Sequence, residues 1–311
     1  MTPYRTYDRL RQLLGDRCAF DVPMAPLTTW RVGGPADCLV RPRTAEELAT
    51  IMSLCTENNV PTRVVGAGSN LLILDGGLRG VTILLRQGFD EFTVREAGGE
   101  TVEVTLGAAL SMAEAVDRTA RAGLRGLEFA AGIPGSIGGG VRMNAGTTEG
   151  DFSKVLTAVE VVDADGKKRR LARHELQYRY RGLVLDMPYV ATAATVALRR
   201  DEPAAILRRV EAIIAWRHTR HPYDVPSGGS TFKNPEGDAA GRLIEQAGLK
   251  GYAIGGAQVS EKHANFLVNT GTANAADILA LLEHVRRVVF EKFGVMLEPE
   301  VKIWGERNVS E

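Results

Sequence analysis

Seven glycines stand among the 21 residues from Gly126 to Gly146, a density that no packed fold accepts without a reason. In regular structure each costs roughly 0.5–1 kcal/mol against alanine. The residues between them in Gly132-Ile-Pro-Gly-Ser-Ile-Gly-Gly-Gly140 and Asn144-Ala-Gly146 are largely apolar, so the run is not a flexible Ser/Gly linker. It reads either as a tightly packed, turn-rich core or as backbone closing on something flat or anionic. A second loop, Gly66-Ala-Gly-Ser-Asn70, ends the strand-like Thr62-Arg-Val-Val65. Strand followed by GxGxx is half of a dinucleotide fingerprint, but Leu71 stands where the helix should begin and the third glycine is absent. On these residues alone, that loop is an anion cradle or a plain turn.

Around these loops the chain alternates helix and strand signals. An amphipathic stretch runs from Tyr7 to Leu14, and Gly33-Gly34-Pro35 requires a sharp turn. Thr44-x-x-Glu47 and Ser111-x-x-Glu114 are capping boxes that open helices to about Asn58 and Gly123. Thr62 to Val65 predicts a buried strand, Leu71 to Leu74 a second one, and Thr101 to Leu106 an alternating one. Ala158 to Leu171 is a hairpin about an Asp-Gly turn. Helices are expected from Ala204 to Arg217, after Asp238 and from Asn274, the last with a core stripe of Ile278, Leu281, Leu282, Val285, Val288 and Val289. Leu297-Glu-Pro-Glu-Val-Lys-Ile-Trp304 predicts an edge strand. A boundary falls at the proline-marked break Asp201-Glu-Pro203.

Composition narrows the function classes. The 311 residues suggest two or three domains, and the 38 basic side chains balance 38 acidic ones, so there is no electrostatic footprint for nucleic acid or an anionic membrane. No run approaches the ~20 apolar residues of a membrane span, and the start Met1-Thr-Pro-Tyr-Arg lacks an apolar core, so a soluble cytoplasmic protein is expected. Three cysteines, Cys18, Cys38 and Cys55, offer neither CxxC spacing nor a disulfide framework. His218 and His221 are three apart, but Pro222 follows and no third ligand is evident, so no metal site is expected.

The most chemically crowded tract is Pro226-Ser-Gly-Gly-Ser-Thr-Phe-Lys-Asn-Pro235, too polar for a core strand and read as a loop. Upstream lies Trp216-Arg-His-Thr-Arg-His-Pro-Tyr-Asp224, and downstream a helical segment carries Arg242 and Glu245. An ordinary turn and a site held between firm elements are both consistent with that pattern. No GxSxG elbow surrounds Ser230, so a hydrolase triad is unsupported.

Seven tracts, in order, give the chain a resemblance to a known family: Arg31-Val-Gly-Gly-Pro-Ala-Asp37, Val65-Gly-Ala-Gly-Ser-Asn-Leu-Leu72, Gly132-Ile-Pro-Gly-Ser-Ile-Gly-Gly139, Met143-Asn-Ala-Gly146, Gly229-Ser-Thr-Phe-Lys-Asn-Pro235, Ala264-Asn-Phe266 and Leu297-Glu-Pro-Glu-Val301. Together they resemble the flavoenzyme family UDP-N-acetylenolpyruvoylglucosamine reductase (UDP-N-acetylmuramate dehydrogenase). With no room between Leu185 and Thr192 for a tyrosine-bearing lid, the chain looks like the shorter branch. The resemblance implies an α+β fold: a two-domain FAD-binding region of the vanillyl-alcohol-oxidase / p-cresol methylhydroxylase type plus an α+β substrate-binding domain. The implied boundaries are 1–83 (with strand 297–311 returning to it), 84–203 and 204–296.

It further implies noncovalent FAD, NADPH as reductant and the small-molecule substrate UDP-N-acetylglucosamine enolpyruvate, in peptidoglycan precursor synthesis, with the chain a monomer. Carried over residue by residue, the proton donor is Ser230 and the active-site carboxylate Glu300, whose pKa burial is expected to raise. The arginine is Arg181 by spacing from Leu176, with Arg179 the alternative. The flavin would be lined by Gly33, Gly34, Gly66, Gly68, Ser69, Asn70, Gly132, Pro134, Gly135, Ser136, Gly138, Gly139, Asn144, Ala145 and Gly146. Lys233, Asn234, Arg242 and Gln258 are candidates for diphosphate and sugar contacts. Two rival readings are a flavin oxidase of the same superfamily and a nonenzymatic nucleotide-binding module. Leu183 and Thr147-Thr-Glu149 depart from the family's usual Ser and aromatic.

Overall fold

The computed structural model describes residues 3–98, 100–179, 181–185 and 187–307, with backbone alone at 3, 4 and 179. Its chain divides into two compact units. The first comprises residues up to Phe20, Cys38–Ala67 and Gly80–Ala215; the second comprises Asp21–Asp37, Gly68–Arg79 and residues from Trp216 on.

In the first unit the main sheet is antiparallel, with strands in the order Lys168–Ala172, Leu156–Asp163, Tyr189–Arg200, Thr101–Gly107, Phe92–Glu96, and Leu124–Arg125 paired to one end of Tyr189–Arg200. Strand alternation decides what each face buries. Val102, Val104 and Leu106 point into one core together with Val159 and Val161, whereas Val162 belongs to a different core with Leu48, Ile51 and Cys55. Helix Met112–Arg121 lays Met112, Ala115, Val116, Thr119 and Ala120 on the first core, the spacing of one helical face. Its cap is as expected, Ser111 Oγ accepting from the Glu114 amide at 3.1 Å.

The helix Ala45–Glu57 is capped by Thr44 Oγ1, which accepts from the Glu47 amide at 3.1 Å. The reciprocal half of the expected box is displaced. Glu47 instead accepts from the Arg43 amide at 2.7 Å and forks with Arg17 at 2.5 and 2.7 Å, and that guanidinium pulls its carboxyl down to about 2. The strand Thr62–Val65 pairs in parallel with Leu78–Leu84 at the end of a four-stranded sheet. An end strand lacks a neighbour on one side, so only Val65 is buried, where a buried strand was expected.

The glycine run contains an unforeseen helix, Ile137–Arg142, with Ser136 as its cap. Three consecutive glycines are poor helix formers. Two of them are explained by close approach: a Cβ on Gly138 would lie 2.9 Å from Ala108 Cβ, and one on Gly140 would lie 2.8 Å from the Phe152 ring.

In the second unit an antiparallel sheet runs in the order Ser227–Ser230, Phe266–Asn269, Ala257–Val259, Ala253–Ile254. Its helix Ala275–Phe293 buries Ile278, Leu281, Leu282, Val285 and Val289, with Val288 at the margin. Asn274 caps it, and the Asp75 carboxylate accepts from the amides of Ala275 and Ala276 at 3.0 and 2.9 Å, where the helix dipole favours negative charge. The C-terminal strand is shorter than expected, Lys302–Trp304, and pairs in parallel with Leu71–Ile73. Helix Pro203–Arg220 runs one turn further than expected and takes in His218. No described helix is long and apolar enough to cross a membrane.

Candidate active site

The tract read as a loop turns out to begin as a strand. Ser227–Ser230 forms the sheet edge against Phe266–Asn269, with a register shift between Ser227 and Ser230. The two glycines make this possible in different ways. Gly228 presses on the Trp30 ring, where a Cβ would lie 2.5 Å from the nearest ring carbon, and Gly229 takes φ +77, a conformation that favours glycine. Trp30 is itself fixed by Nε1 donating to the Leu267 carbonyl at 2.8 Å and by Asn269 Nδ2 donating to its own carbonyl at 2.9 Å. The strand therefore delivers Ser230, half-buried, to a fixed place.

Beyond Ser230 the chain is clamped on both sides. Thr231, fully buried, donates its amide to Asn265 O at 2.8 Å, while the Asn265 side chain accepts from the Phe232 amide at 3.0 Å and donates to the Phe232 carbonyl at 2.8 Å. On the other side a short antiparallel ladder runs to the C-terminal tract: Glu300 N to Thr231 O at 2.8 Å, Lys233 N to Glu298 O at 2.9 Å, and a bridge between Phe232 and Pro299. In that register Glu300 stands one step along from Ser230. Asn70 joins the same corner, its Nδ2 donating to the Glu300 carbonyl at 3.4 Å and its carbonyl accepting from Lys302 N at 3.0 Å. Glu300 is half-buried.

The structure thus brings Ser230, Glu300, Lys233 and Asn70 together in the second unit. The side chains of the expected substrate residues are each engaged with protein partners. Lys233 Nζ pairs with Glu298, and Asn234 Oδ1 accepts from the Ala240 amide at 3.0 Å at the start of helix Ala240–Gln246. Arg242 is exposed and forks onto Asp238, with Nη1 donating to Gln246 Oε1 at 2.7 Å. Gln258 Nε2 donates to Gly251 O at 3.1 Å. Gly33 and Gly34 are required by packing in this unit: a Cβ on Gly34 would lie 2.1 Å from Asp75 O, and one on Gly33 2.9 Å from Ile73 Cβ.

In the first unit the expected flavin residues split into two kinds. Gly66 sits against Ser136, its would-be Cβ 2.7 Å from Ser136 Oγ, so the two glycine clusters meet there. Gly138 packs inward, as described, and Gly146 packs on Asp151, the contact being 2.4 Å. Gly139 differs. It is exposed, and the nearest protein atom to a Cβ there is Ser136 Oγ at 3.5 Å, an ordinary contact. Gly132 and Gly135 take φ 70 and 144, and Pro134 is exposed. Asn144 is buried with φ 43, its Oδ1 accepting from Ser153 N at 3.0 Å, and Ala145 N donates to Gly140 O at 2.8 Å. Arg181, at φ 59 in the turn between Gln177–Arg179 and Gly182–Val184, donates Nη1 to Gly146 O at 3.0 Å. Tyr180, its neighbour in the expected Tyr-Arg pair, and the Arg179 side chain lie outside the described residues.

These residues fit a flavin nucleotide. The open face at Gly139 leaves room for a flat ligand, and the amides of Ala67 and Gly68 donate to no protein acceptor among the described residues, as a diphosphate cradle requires. The loop reaches this state because Gly68 takes φ 67 with a would-be Cβ 2.1 Å from Leu27 O, and Thr29 N donates to the Gly68 carbonyl at 3.2 Å. Sequence reasoning missed Arg86, whose guanidinium lies 3.4 Å from Gly66 O through both terminal nitrogens, and the clamp Asn265. A lone arginine after a strand carries no local signal. Asn265 stood within a matching tract, and only its burial marks it as a positioning residue.

Comparison with known proteins gives the family. Residues 36–172 match the family model described as FAD binding domain, and residues 221–304 match that of UDP-N-acetylenolpyruvoylglucosamine reductase, C-terminal domain. The UDP-N-acetylenolpyruvoylglucosamine reductase of Moorella thermoacetica is 44% identical over 91% of this chain and 92% of its own, and that of Lachnoclostridium phytofermentans is 42% identical over 94% of each. The crystal structure of the Thermus caldophilus reductase superposes with a TM-score of 0.79 at 37% identity, covering 91% of this chain and 97% of that one. With relatives this similar along nearly the whole chain, and an FAD-binding domain in place, the chain belongs to the UDP-N-acetylenolpyruvoylglucosamine reductase family of α+β, FAD-dependent oxidoreductases.

Proposed function

We infer that this chain carries out the reaction of its family, the NADPH-dependent reduction of UDP-N-acetylglucosamine enolpyruvate to UDP-N-acetylmuramate in peptidoglycan precursor synthesis. FAD, when bound, would supply the two-electron chemistry linking NADPH to the enolpyruvyl double bond. The protein's tasks are to hold the reactants, to stabilise negative charge on the substrate carboxylate as it becomes an enolate, and to protonate the α-carbon.

Ser230 donates that proton. An alcohol is a weak acid, but a carbanion is a strong base, and a fixed position counts for more than pKa. Glu300, protonated or acting through a bridging donor, holds the enolate, and Arg181 adds positive charge for the carboxylate. Gly66, Gly68, Ser69 and Asn70 cradle the FAD diphosphate; Gly132, Pro134, Gly135, Ser136, Gly139 and Asn144 to Gly146 line the rest of the flavin, while Gly33, Gly34 and Gly138 act through packing within their own units. Lys233, Asn234, Arg242 and Gln258 contact the substrate's diphosphate and sugar. By function the chain divides at 1–83, 84–203 and 204–296, with the C-terminal strand serving the first part. It acts as a cytoplasmic monomer with no nucleic-acid partner.

The observation that carries this reading is the ladder in which Glu300 N bonds Thr231 O, because it ties the expected donor and carboxylate to one rigid corner. The test separates the half-reactions by stopped flow. Ser230→Ala should leave flavin reduction by NADPH near wild type and slow reoxidation by the enolpyruvyl substrate by about 10² to 10⁴, with partial rescue by Ser230→Cys. Equal slowing of both steps would make Ser230 a positioning residue, and no slowing of either would remove it from the chemistry.

A further inference from the structure

One cleft in the first unit has no part in the reaction above. It has a volume of about 670 Å³ and is lined by Thr101, Arg125, Lys154, Arg199 and Arg209, with Glu128 as the carboxylate in its wall. The lining follows from strand register. Thr101 pairs with Arg199 across Thr101–Gly107 and Tyr189–Arg200, and Arg199 pairs in turn with Arg125 on Leu124–Arg125, so the three side chains stand in one row on one face of the sheet.

Arg199 directly opposite Arg125 is an unfavourable arrangement. Like charges at directly paired positions destabilise a sheet, and neither arginine has a carboxylate within ion-pair distance among the described residues. Lys154, exposed on the short helix Phe152–Val155, is in the same state. Glu103, diagonal to Arg199 on the same face, makes no ion pair with it among the described residues, and the two acids nearest Arg125 are committed. Glu128 accepts from Arg209 at 3.1 Å and from the Gly126 amide, and Asp201 accepts from Arg209 at 2.7 Å. Arg125 reaches Asp201 only as a secondary influence on a carboxyl already held low chiefly by Arg209. Three cations without an ion pair among the described residues thus line one concavity in a chain of zero net charge.

We propose that this cleft is a binding site for a small multivalent phosphate anion, of the pyrophosphate or nucleoside-diphosphate class, separate from the flavin and substrate sites. Two phosphoryl groups supply enough negative charge to bridge Arg125 and Arg199 and still reach Lys154, whereas a single carboxylate neutralises one of them. The phosphate is the recognised part, since the cleft offers guanidinium and ammonium donors and no aromatic platform.

The test is titration calorimetry of FAD-loaded enzyme with inorganic pyrophosphate, on wild type and on Arg199→Gln and Lys154→Gln. Both are exposed positions, and retention of flavin absorbance and melting temperature reports that the variants are folded. Pyrophosphate should bind the wild type more tightly than orthophosphate, and each variant should weaken it on the order of tenfold to a hundredfold. Without pyrophosphate, Arg199→Gln should melt at the same temperature or higher, because the cross-strand repulsion is gone. No measurable pyrophosphate binding, equal affinity for orthophosphate, or unchanged pyrophosphate affinity in both variants would each overturn the site.

Discussion

Gly139→Ala is the substitution that best separates a glycine kept for a ligand from one kept for packing. The residue lies in helix Ile137–Arg142, where alanine is favoured over glycine by about 0.5–1 kcal/mol. Nothing among the described residues opposes the new methyl, since Ser136 Oγ at 3.5 Å is an ordinary contact. The apoprotein should therefore be as stable as wild type or more so. If FAD packs on that face, the methyl occupies the cofactor's space and the dissociation constant rises by about tenfold or more, equivalent to about 1.4 kcal/mol. Ligand stabilisation grows as RT ln(1 + [L]/Kd), so the variant should outlast wild type in denaturant without FAD and fall below it with FAD at a concentration near saturation. Gly138→Ala is the contrast: its methyl meets Ala108 Cβ at 2.9 Å and Ala108 O at 3.2 Å, so overpacking should destabilise apoprotein by about 1–3 kcal/mol. Flavin fluorescence quenching gives the affinities and urea melts give the stabilities. Wild-type FAD affinity in Gly139→Ala would refute the assignment of that face to the cofactor.

Two further outcomes follow from the second unit. His221 is packed against Phe266, His263 and Tyr223, and burial, aided by the charges of Arg217, His263, Lys262 and Arg220, pushes its pKa from 6.5 to about 4. Its neutral form belongs to the fold, so its contribution is fully present above about pH 6.5 and is lost as pH falls toward 4, by at most about 3 kcal/mol; urea melts at pH 7 and pH 5 should show a smaller decrement in His221→Asn, and an equal decrement would clear the imidazole. Asn265→Ala strips partners from both the buried Phe232 amide and its carbonyl, at about 1–3 kcal/mol each, and should slow the substrate half-reaction while sparing NADPH reduction; a variant of wild-type stability and rate would mean that water takes over the clamp.

What could be read in the chain beforehand was what is decided locally. Thr44, Ser111 and Asn274 cap helices through an amide three residues on, and the apolar stripe of Ala275–Phe293 repeats within a few turns, so neither needs knowledge of the rest of the fold. The strand Ser227–Ser230 escaped because its residues lack alternation and its partner, Phe266–Asn269, is remote in sequence. The helix Ile137–Arg142 escaped because three glycines argue against helix, and the contacts that require two of them, Gly138 and Gly140, come from Ala108, Met112 and Phe152.

The glycine run shows where a composition argument stops. Counting glycines signals close approach without saying what approaches, and in the folded chain the answer changes from one residue to the next. Gly138 and Gly140 face protein atoms nearer than 3.0 Å, and Gly139 between them faces almost none. Successive helical residues point about a third of a turn apart, so an outward-facing glycine flanked by core-facing ones needs no special design, only a short helix lying at the surface of the unit. The same geometry explains why Ser136 is buried while Gly139 is exposed: the hydroxyl caps the helix from within, accepting from the Gly139 amide at 3.4 Å, and leaves the outer face free. A family resemblance can assign the whole run to a cofactor, but this helix assigns the surface to Gly139 and the packing to its neighbours.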